Sequence, residues 1–172
     1  MSGSVDTISP KLLQKFTRRI FNDPARQADF IQTLTSPPPL APTIVWLRPE
    51  VQQVQQQYDF LPLPPLPWQP TWVDRLQQPS QPGKHPLHTA GTFYCLDFSS
   101  VFATIPLLQL APQTQAILDL CAAPGGKSVL AWRALSPQLL ICNEVIGKRL
   151  GMLISNLKRC QIEPVQVCQQ DP

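Results

Sequence analysis

The sequence predicts an α/β chain, the first half of a doubly wound parallel sheet with strand order 3-2-1, behind a small Pro/Gln-rich α+β N-terminal region. Three observations carry this prediction. From Gln115 onward, β-type runs alternate with helical ones as β-α-β-α-β. Asp119 to Ser128 is a small-residue loop that leaves the first of these strands and enters a helix. Most of the 21 prolines precede that segment, in a glutamine-rich region, and only 15% of the chain is charged, against about 25% in an average globular protein.

The elements follow in order. Ser9-Pro10 and Asp23-Pro24 pair a capping residue with a proline at the first helical position. Apolar residues then recur at helical spacing: Leu12, Leu13, Phe16 and Ile20, followed by Ala28, Ile31 and Leu34. Two short helices are expected, the second ended by Pro37-Pro38-Pro39. Thr43 to Leu47 is β-branched and aromatic, a strand closing on Arg48-Pro49. Val51 to Tyr58 is expected to be helical, with Val51, Val54 and Tyr58 on one face. Leu61 to Pro70 reads as a polyproline II spacer, because each proline ring fixes φ and removes a donor. Gln77 to His88 is expected to be a loop around Pro82-Gly83-Lys84, and Phe93 to Leu96 a short strand. Ser99 or Ser100 is expected to cap a helix bearing Val101, Phe102, Ile105 and Leu108, bent or begun at Pro106.

The predicted half-sheet consists of strands Ile117 to Leu120, of buried type, Leu139 to Cys142 and Val165 to Cys168. Helices Lys127 to Leu135 and Gly147 to Cys160 connect them, the second turning Leu150, Leu153, Ile154 and Leu157 inward. Ligands of such sheets sit beyond the carboxyl ends of the strands. The chain is expected to divide into residues 1–90, with a Pro-rich linker at 61–70, and residues 91–172, a domain cut off after its third strand. Its 172 residues suffice for one ordinary domain, or for a small one plus part of a larger.

The formal charge of +3 permits a nucleic-acid partner without proposing one. No basic stretch followed by an apolar core opens the chain, and no window approaches a membrane span, so a cytoplasmic protein without membrane contact is expected. The five cysteines are odd in number and never closer than eight positions, which argues against zinc knuckles or a disulfide frame. His85 and His88 have no nearby acid or thiol and are expected to be surface residues. No metal site is expected.

The loop Cys121 to Lys127 carries the chemistry. A phosphate-binding G-x-x-x-x-G-K-[ST] loop needs glycine where Cys121 stands, and the dinucleotide fingerprint needs separated glycines where Gly125 and Gly126 are adjacent. What remains is a backbone that a ligand can approach closely, with helix N-terminal amides suited to a small anionic group. Such a group is the methionine end of S-adenosylmethionine. Glu144 follows the second strand, about 19 residues after Gly125 and near the roughly 20 at which doubly wound folds place an acid for ribose hydroxyls. The alternative is an ordinary acid at a helix N-terminus. Asp171 follows the third strand, where the adenine end would lie.

"LDLCAAPGGKS" is very similar to the cofactor loop of the Sun/Fmu family of RNA (cytosine-5) methyltransferases. "NEVIGKRLGMLISNLKRCQI" and "GTFYCLDFSSVFATIPLLQL" resemble the segments that follow and precede that loop, so the likeness spans Gly91 to Pro172. It looser still touches "IVWLRP" and "GKHPLH". The resemblance implies a Rossmann-like class I methyltransferase fold that uses S-adenosylmethionine. Cys121, Ala122, Ala123, Pro124, Gly125, Gly126 and Lys127 would surround its methionine and ribose, Glu144 would bind the ribose, and Asp171 would contact its nucleoside side. It also implies an RNA partner, ribosomal or transfer, and an RNA-binding role for the first part of the chain.

Family members attack cytosine carbon 6 with a cysteine thiolate, and a second cysteine assists release; both lie in Pro-Cys and Thr-Cys motifs. Here the cysteines follow Tyr94, Leu120, Ile141, Arg159 and Val167. No catalytic residue is therefore assigned, and Cys121 is read as part of the cofactor loop despite its place at a helix N-terminus. The expectation is a chain that transfers no methyl group alone and binds cofactor weakly or not at all. Lys148, Arg149, Lys158 and Arg159 are expected to form a solvated basic edge. A non-catalytic cofactor- or RNA-binding fragment, or a methyltransferase of proteins or small molecules, are the alternative readings.

Overall fold

The computed structural model describes residues 9–36, 40–48, 59–110 and 114–171. The expected helix at Val51 to Tyr58 and the Pro37-Pro38-Pro39 stop lie outside the described residues. The chain forms two compact units, Met1–Leu40 and Ala41–Pro172.

In the first unit, α1 spans Pro10–Ile20 and α2 spans Pro24–Thr35, with proline in the first turn of each. Asp23 caps α2 by accepting from the Ala25 N–H, whereas the Ser9 side chain makes no cap bond to α1. The turn between the helices is held by Gln27 Nε2 donating to the Phe21 carbonyl at 2.7 Å and by the tilted Phe21–Phe30 ring pair.

The second unit contains two sheets. In the first, β1 (Thr43–Trp46) lies between β2 (Val73–Arg75) and β3 (Phe93–Leu96), both antiparallel to it. All four β1 residues are buried, as their β-branched and aromatic character predicts. Trp46 meets Phe93 edge-on at 5.5 Å and donates Nε1–H to Asp74 at 2.6 Å, which satisfies the indole when it leaves water. Position 90 therefore falls between strands of one sheet.

The Pro-rich run is not a free spacer. Leu63 N–H donates to the Arg75 carbonyl, Gln77 N–H donates to the Leu61 carbonyl, and Pro62 bridges to Leu76, so the run pairs along the outer edge of β2. A sheet edge is where residues without an N–H are tolerated. The expected loop at Gln77 to His88 contains a 3-10 turn, Pro82–Lys84, and the one-turn helix α3, Pro86–Thr89. His85 caps that helix through Nδ1, its ring packed near Phe60 and Phe93 and only 14% exposed; it is not the expected surface residue. His88 is also partly buried, and burial and the Arg159 charge lower its pKa. Helix α4, Phe98–Thr104, begins after Asp97 rather than at Ser99 or Ser100. Pro106 marks its change into a 3-10 turn, Ile105–Gln109.

The second sheet holds β4 (Ala116–Asp119), β5 (Leu139–Asn143) and β6 (Val165–Cys168), all parallel in the order β4-β5-β6. Helices α5 (Gly126–Leu135) and α6 (Gly147–Arg159) connect them. This is the predicted 3-2-1 half-sheet. Strand β4 is not buried on both faces as expected, however: Ile117 packs on the core, while Leu118 is 60% exposed on the opposite face. In α6, Leu153 and Leu157 are fully inward, and Leu150 and Ile154 are half-buried.

One apolar cluster joins the two sheets, with Val45, Val73 and Tyr94 from the first, Leu140 from the second, and Val129 of α5 and Leu153 of α6. Arg133 on α5 reinforces the joint, donating Nε–H to the Trp46 carbonyl at 2.9 Å with its guanidinium 5.3 Å from the Trp72 ring centre. Helix α5, which follows β4, is thereby fixed against β3 and α4.

Candidate functional site

The site begins at Asp119, the last residue of β4. Its Oδ1 accepts the Cys121 N–H at 3.2 Å, and its Oδ2 accepts the Ser128 hydroxyl at 2.6 Å. The two bonds tie the start of the loop to the first turn of α5. Ser128 is buried, so Ser128→Ala leaves Asp119 short of a donor. It should lower stability by about 1–2 kcal/mol, read as a shift in denaturant midpoint with unchanged m-value.

Between these ends the backbone is held from both sides. Ala122 N–H donates to the Asn143 carbonyl, and Gly125 N–H to the Ala122 carbonyl at 2.7 Å. Gly125 has φ +112°, a left-handed value that glycine supplies without a Cβ penalty, and a Cβ there would meet Leu153 at 3.3 Å. Side chains of α6 take the loop carbonyls: Arg149 Nη2 donates to Ala123 O at 2.7 Å and Asn156 Nδ2 to Pro124 O at 2.8 Å, with Tyr94 Oη 3.4 Å from the latter. Gly126, Lys127 and Ser128 open α5, where backbone N–H groups have no intrahelical acceptor. The result is a rigid loop with its carbonyls turned to α6 and helix N-terminal amides available to an anion.

A cavity of about 490 Å³ lies against this loop. Cys121, Ala122, Ala123, Pro124, Gly126 and Lys127 form one wall, and Tyr94, Leu96, Asp97 and Ser100 of β3 and α4 form much of the other. The structure thus brings together six of the seven predicted loop residues. Gly125 is buried behind them, and Asp171 stands exposed beyond β6.

Glu144 follows β5 and is only 3% exposed. Its Oε1 accepts the Ile146 N–H at 3.0 Å, the local helix-entry role that the sequence left as an alternative. Its Oε2 is buried without a hydrogen-bond partner, 3.6 Å from Arg149 Nη1. A buried acceptor without a hydrogen bond costs about 1–3 kcal/mol, so Oε2, although ion-paired with Arg149, is suited to a donor that a ligand brings. Arg149 touches both the loop and Glu144, and Arg159 donates to the His88 carbonyl and lies over the Tyr94 ring. Half of the expected solvated edge is therefore occupied within the fold. Lys148 and Lys158 are exposed.

Asn143 and Asp97 were not singled out in the sequence, and Ser100 only as a helix cap. Asn143 donates to the Leu120 and Gln170 carbonyls and accepts the Gln170 N–H, which staples the ends of all three parallel strands. Its only sequence signal is its position just before Glu144. Asp97 and Ser100 lie inside the family-like "GTFYCLDFSS", which signalled a fold segment rather than a cavity wall.

The thiols differ in accessibility. Cys121 is exposed, whereas burial pushes Cys95 and Cys142 up to about 11. An alkylating reagent at pH 8 should therefore modify Cys121 first, read by mass spectrometry. Because folding raises these two pKa values, the stability they contribute is present below the usual thiol range and declines as pH rises toward 11.

Residues 107–172 match the family described as 16S rRNA methyltransferase RsmB/F. A ribosomal RNA small subunit methyltransferase F from Photobacterium profundum is 33% identical over 104 residues, 58% of this chain and 22% of that protein. One from Vibrio cholerae is 29% identical over 149 residues, 84% of this chain and 32% of that protein. The chain thus spans about a fifth to a third of these relatives. A methyltransferase homolog from Pyrococcus horikoshii superposes with TM-score 0.67 at 21% identity, covering 95% of this chain and 57% of that one. NSun6 from the same organism, solved with SFG, gives 0.69 at 13% identity, covering 94% and 65%. These two structures establish the Rossmann-like methyltransferase fold. The loop, the half-sheet and the family match agree: over residues 107–172 the chain is similar to the RsmB/F, or Sun/Fmu, family.

Proposed function

We propose that this chain carries the S-adenosylmethionine-binding part of a ribosomal RNA methyltransferase, with cytosine carbon 5 as the methylated atom. The observation that carries the reading is Glu144 Oε2, a buried acceptor without a hydrogen-bond partner at the end of the strand beside the glycine loop. Residues Cys121 to Lys127 would hold the methionine end, with its carboxylate at the first turn of α5. Glu144 would accept a ribose hydroxyl, and Asp171 would contact the nucleoside side. The bound cofactor supplies an electrophilic methyl group. SFG, carried by the NSun6 neighbour, is an analogue of that cofactor.

The chain's own residues have positioning roles in this reading. Arg149 and Asn156 fix the loop carbonyls, Asp119 and Ser128 close the loop, and Asn143 sets the strand ends. The RNA target is supported by the names of the matched relatives and the family. A target base must be unpaired or flipped to reach the methyl group. Residues 1–90 would serve as an RNA-binding extension and 91–172 as the methyltransferase domain. No described helix is long and apolar enough to cross a membrane.

No cysteine of the chain stands in a Pro-Cys or Thr-Cys pair, so the reading assigns it no nucleophile. The 172-residue chain should leave RNA unmethylated in a radiolabelled-methyl assay. Ligand-observed NMR tests the cofactor: S-adenosylmethionine should bind weakly, with Kd of about 0.1–1 mM, while ATP and NAD give no signal. Equal signals from all three, or none from S-adenosylmethionine, would overturn the reading.

A further inference from the structure

Trp68, Phe98 and Phe102 form an aromatic patch outside the cofactor loop. Trp68 stacks on Phe98 with ring centres 5.2 Å apart and an interplanar angle of 27°, and meets Phe102 edge-on at 5.4 Å. The Arg75 guanidinium lies 5.0 Å from the Phe98 ring centre. Arg75 is itself anchored, its Nη2 donating to the Pro64 carbonyl at 2.7 Å and its Nε to Gln69 Oε1 at 3.1 Å. The Pro-rich run thus carries Trp68 and helps hold the cation of the patch. Yet Phe102 is 65% and Trp68 37% exposed. Large aromatic rings left in water beside a fixed guanidinium are unusual for a surface with no partner.

The position of the patch narrows the partner. Phe98 lies between Asp97 and Ser100, both of which line the cavity facing the cofactor loop. The patch is therefore carried in part by α4, the same helix that lends Ser100 to the cavity wall. An apolar protein segment would use the rings but gain nothing from the positive charge, whereas single-stranded RNA uses both. Its bases stack on aromatic faces whatever their sequence, and its phosphates are drawn to the guanidinium.

We propose that Trp68, Phe98 and Phe102, with Arg75, form a stacking platform for an unpaired base of single-stranded RNA beside the cofactor cavity. This deepens the RNA reading above and rests on it. The platform selects unstacked RNA over duplex, because only unpaired bases present a free face.

The test is titration of the 172-residue chain with a fluorescein-labelled single-stranded oligouridine, read by anisotropy at several salt concentrations. Phe102→Ala, an exposed position, should weaken binding about 5- to 100-fold and leave the salt slope unchanged, because no phosphate contact is removed. Trp68→Phe should retain most of the affinity and Trp68→Leu should lose it. S-adenosylmethionine binding, followed in parallel by NMR, should persist in Phe102→Ala. Loss of cofactor binding by the parent with RNA stacking intact would sink the functional reading and leave the platform standing. The proposal is overturned if the parent does not bind the oligonucleotide, if Phe102→Ala binds like the parent, or if the salt slope falls with affinity. It is likewise overturned if Phe102→Ala turns a self-associating chain into a monomer, which makes the patch an interface between copies.

Discussion

Glu144→Gln should weaken S-adenosylmethionine binding about 10- to 100-fold, which corresponds to the about 1.5–3 kcal/mol of a hydrogen bond to a charged acceptor. The substitution keeps the shape of the side chain and leaves an amide oxygen to accept from Ile146 N–H, as Oε1 does now. It replaces Oε2, the buried atom without a hydrogen-bond partner, with an NH₂ donor that faces a ribose hydroxyl less well. It also removes the charge facing Arg149, whose bond to the Ala123 carbonyl holds the loop. Ligand-observed NMR on parent and variant measures the change. Affinity within twofold of the parent would mean that Glu144 only shapes the entry to α6.

The largest loss of stability is expected from Gly91→Ala. Gly91 has φ +73°, and an added Cβ would stand 1.9 Å from the Arg159 carbonyl oxygen and 2.8 Å from its carbon. Both are backbone atoms at the end of α6, so no flexible side chain can yield. Left-handed strain and steric crowding together should cost about 3–5 kcal/mol, a large part of the about 5–15 kcal/mol that holds a domain. Chemical denaturation of the two proteins gives the difference, and a loss below about 1 kcal/mol would show that β3 and α6 separate easily. Because that contact sets Tyr94 against the loop, cofactor binding should weaken as well.

Local chemistry made much of this fold legible. An aromatic run located β3 and a valine-bearing one β6 at their observed limits, and proline after a capping residue located α1 and α2. The order of the parallel strands followed from the alternation of strand and helix. What escaped the sequence were contacts across long separations. The Pro-rich run offered only the stiffness of its rings, and nothing local shows that Leu61 and Leu63 would pair with β2. The exposed face of β4 was hidden in the same way, since an apolar run does not reveal which face another element covers.

The candidate site divides along similar lines. The loop residues and Glu144 stand out because their chemistry is concentrated in short motifs. Asn143, Asn156 and Tyr94 act on backbone atoms 23 to 32 positions away in sequence, and only the pairing of β5 with β4 and the packing of α6 and β3 bring them there. The supports of the loop were therefore invisible, although the loop itself was not.

A crystal structure of the chain soaked with millimolar unreactive S-adenosylmethionine analogue tests the central claim most directly. The account predicts a ribose hydroxyl within hydrogen-bond distance of Glu144 Oε2 and the analogue's carboxylate at the N–H groups of Gly126 to Ser128. An analogue bound elsewhere, or a ribose turned away from Glu144, would contradict it.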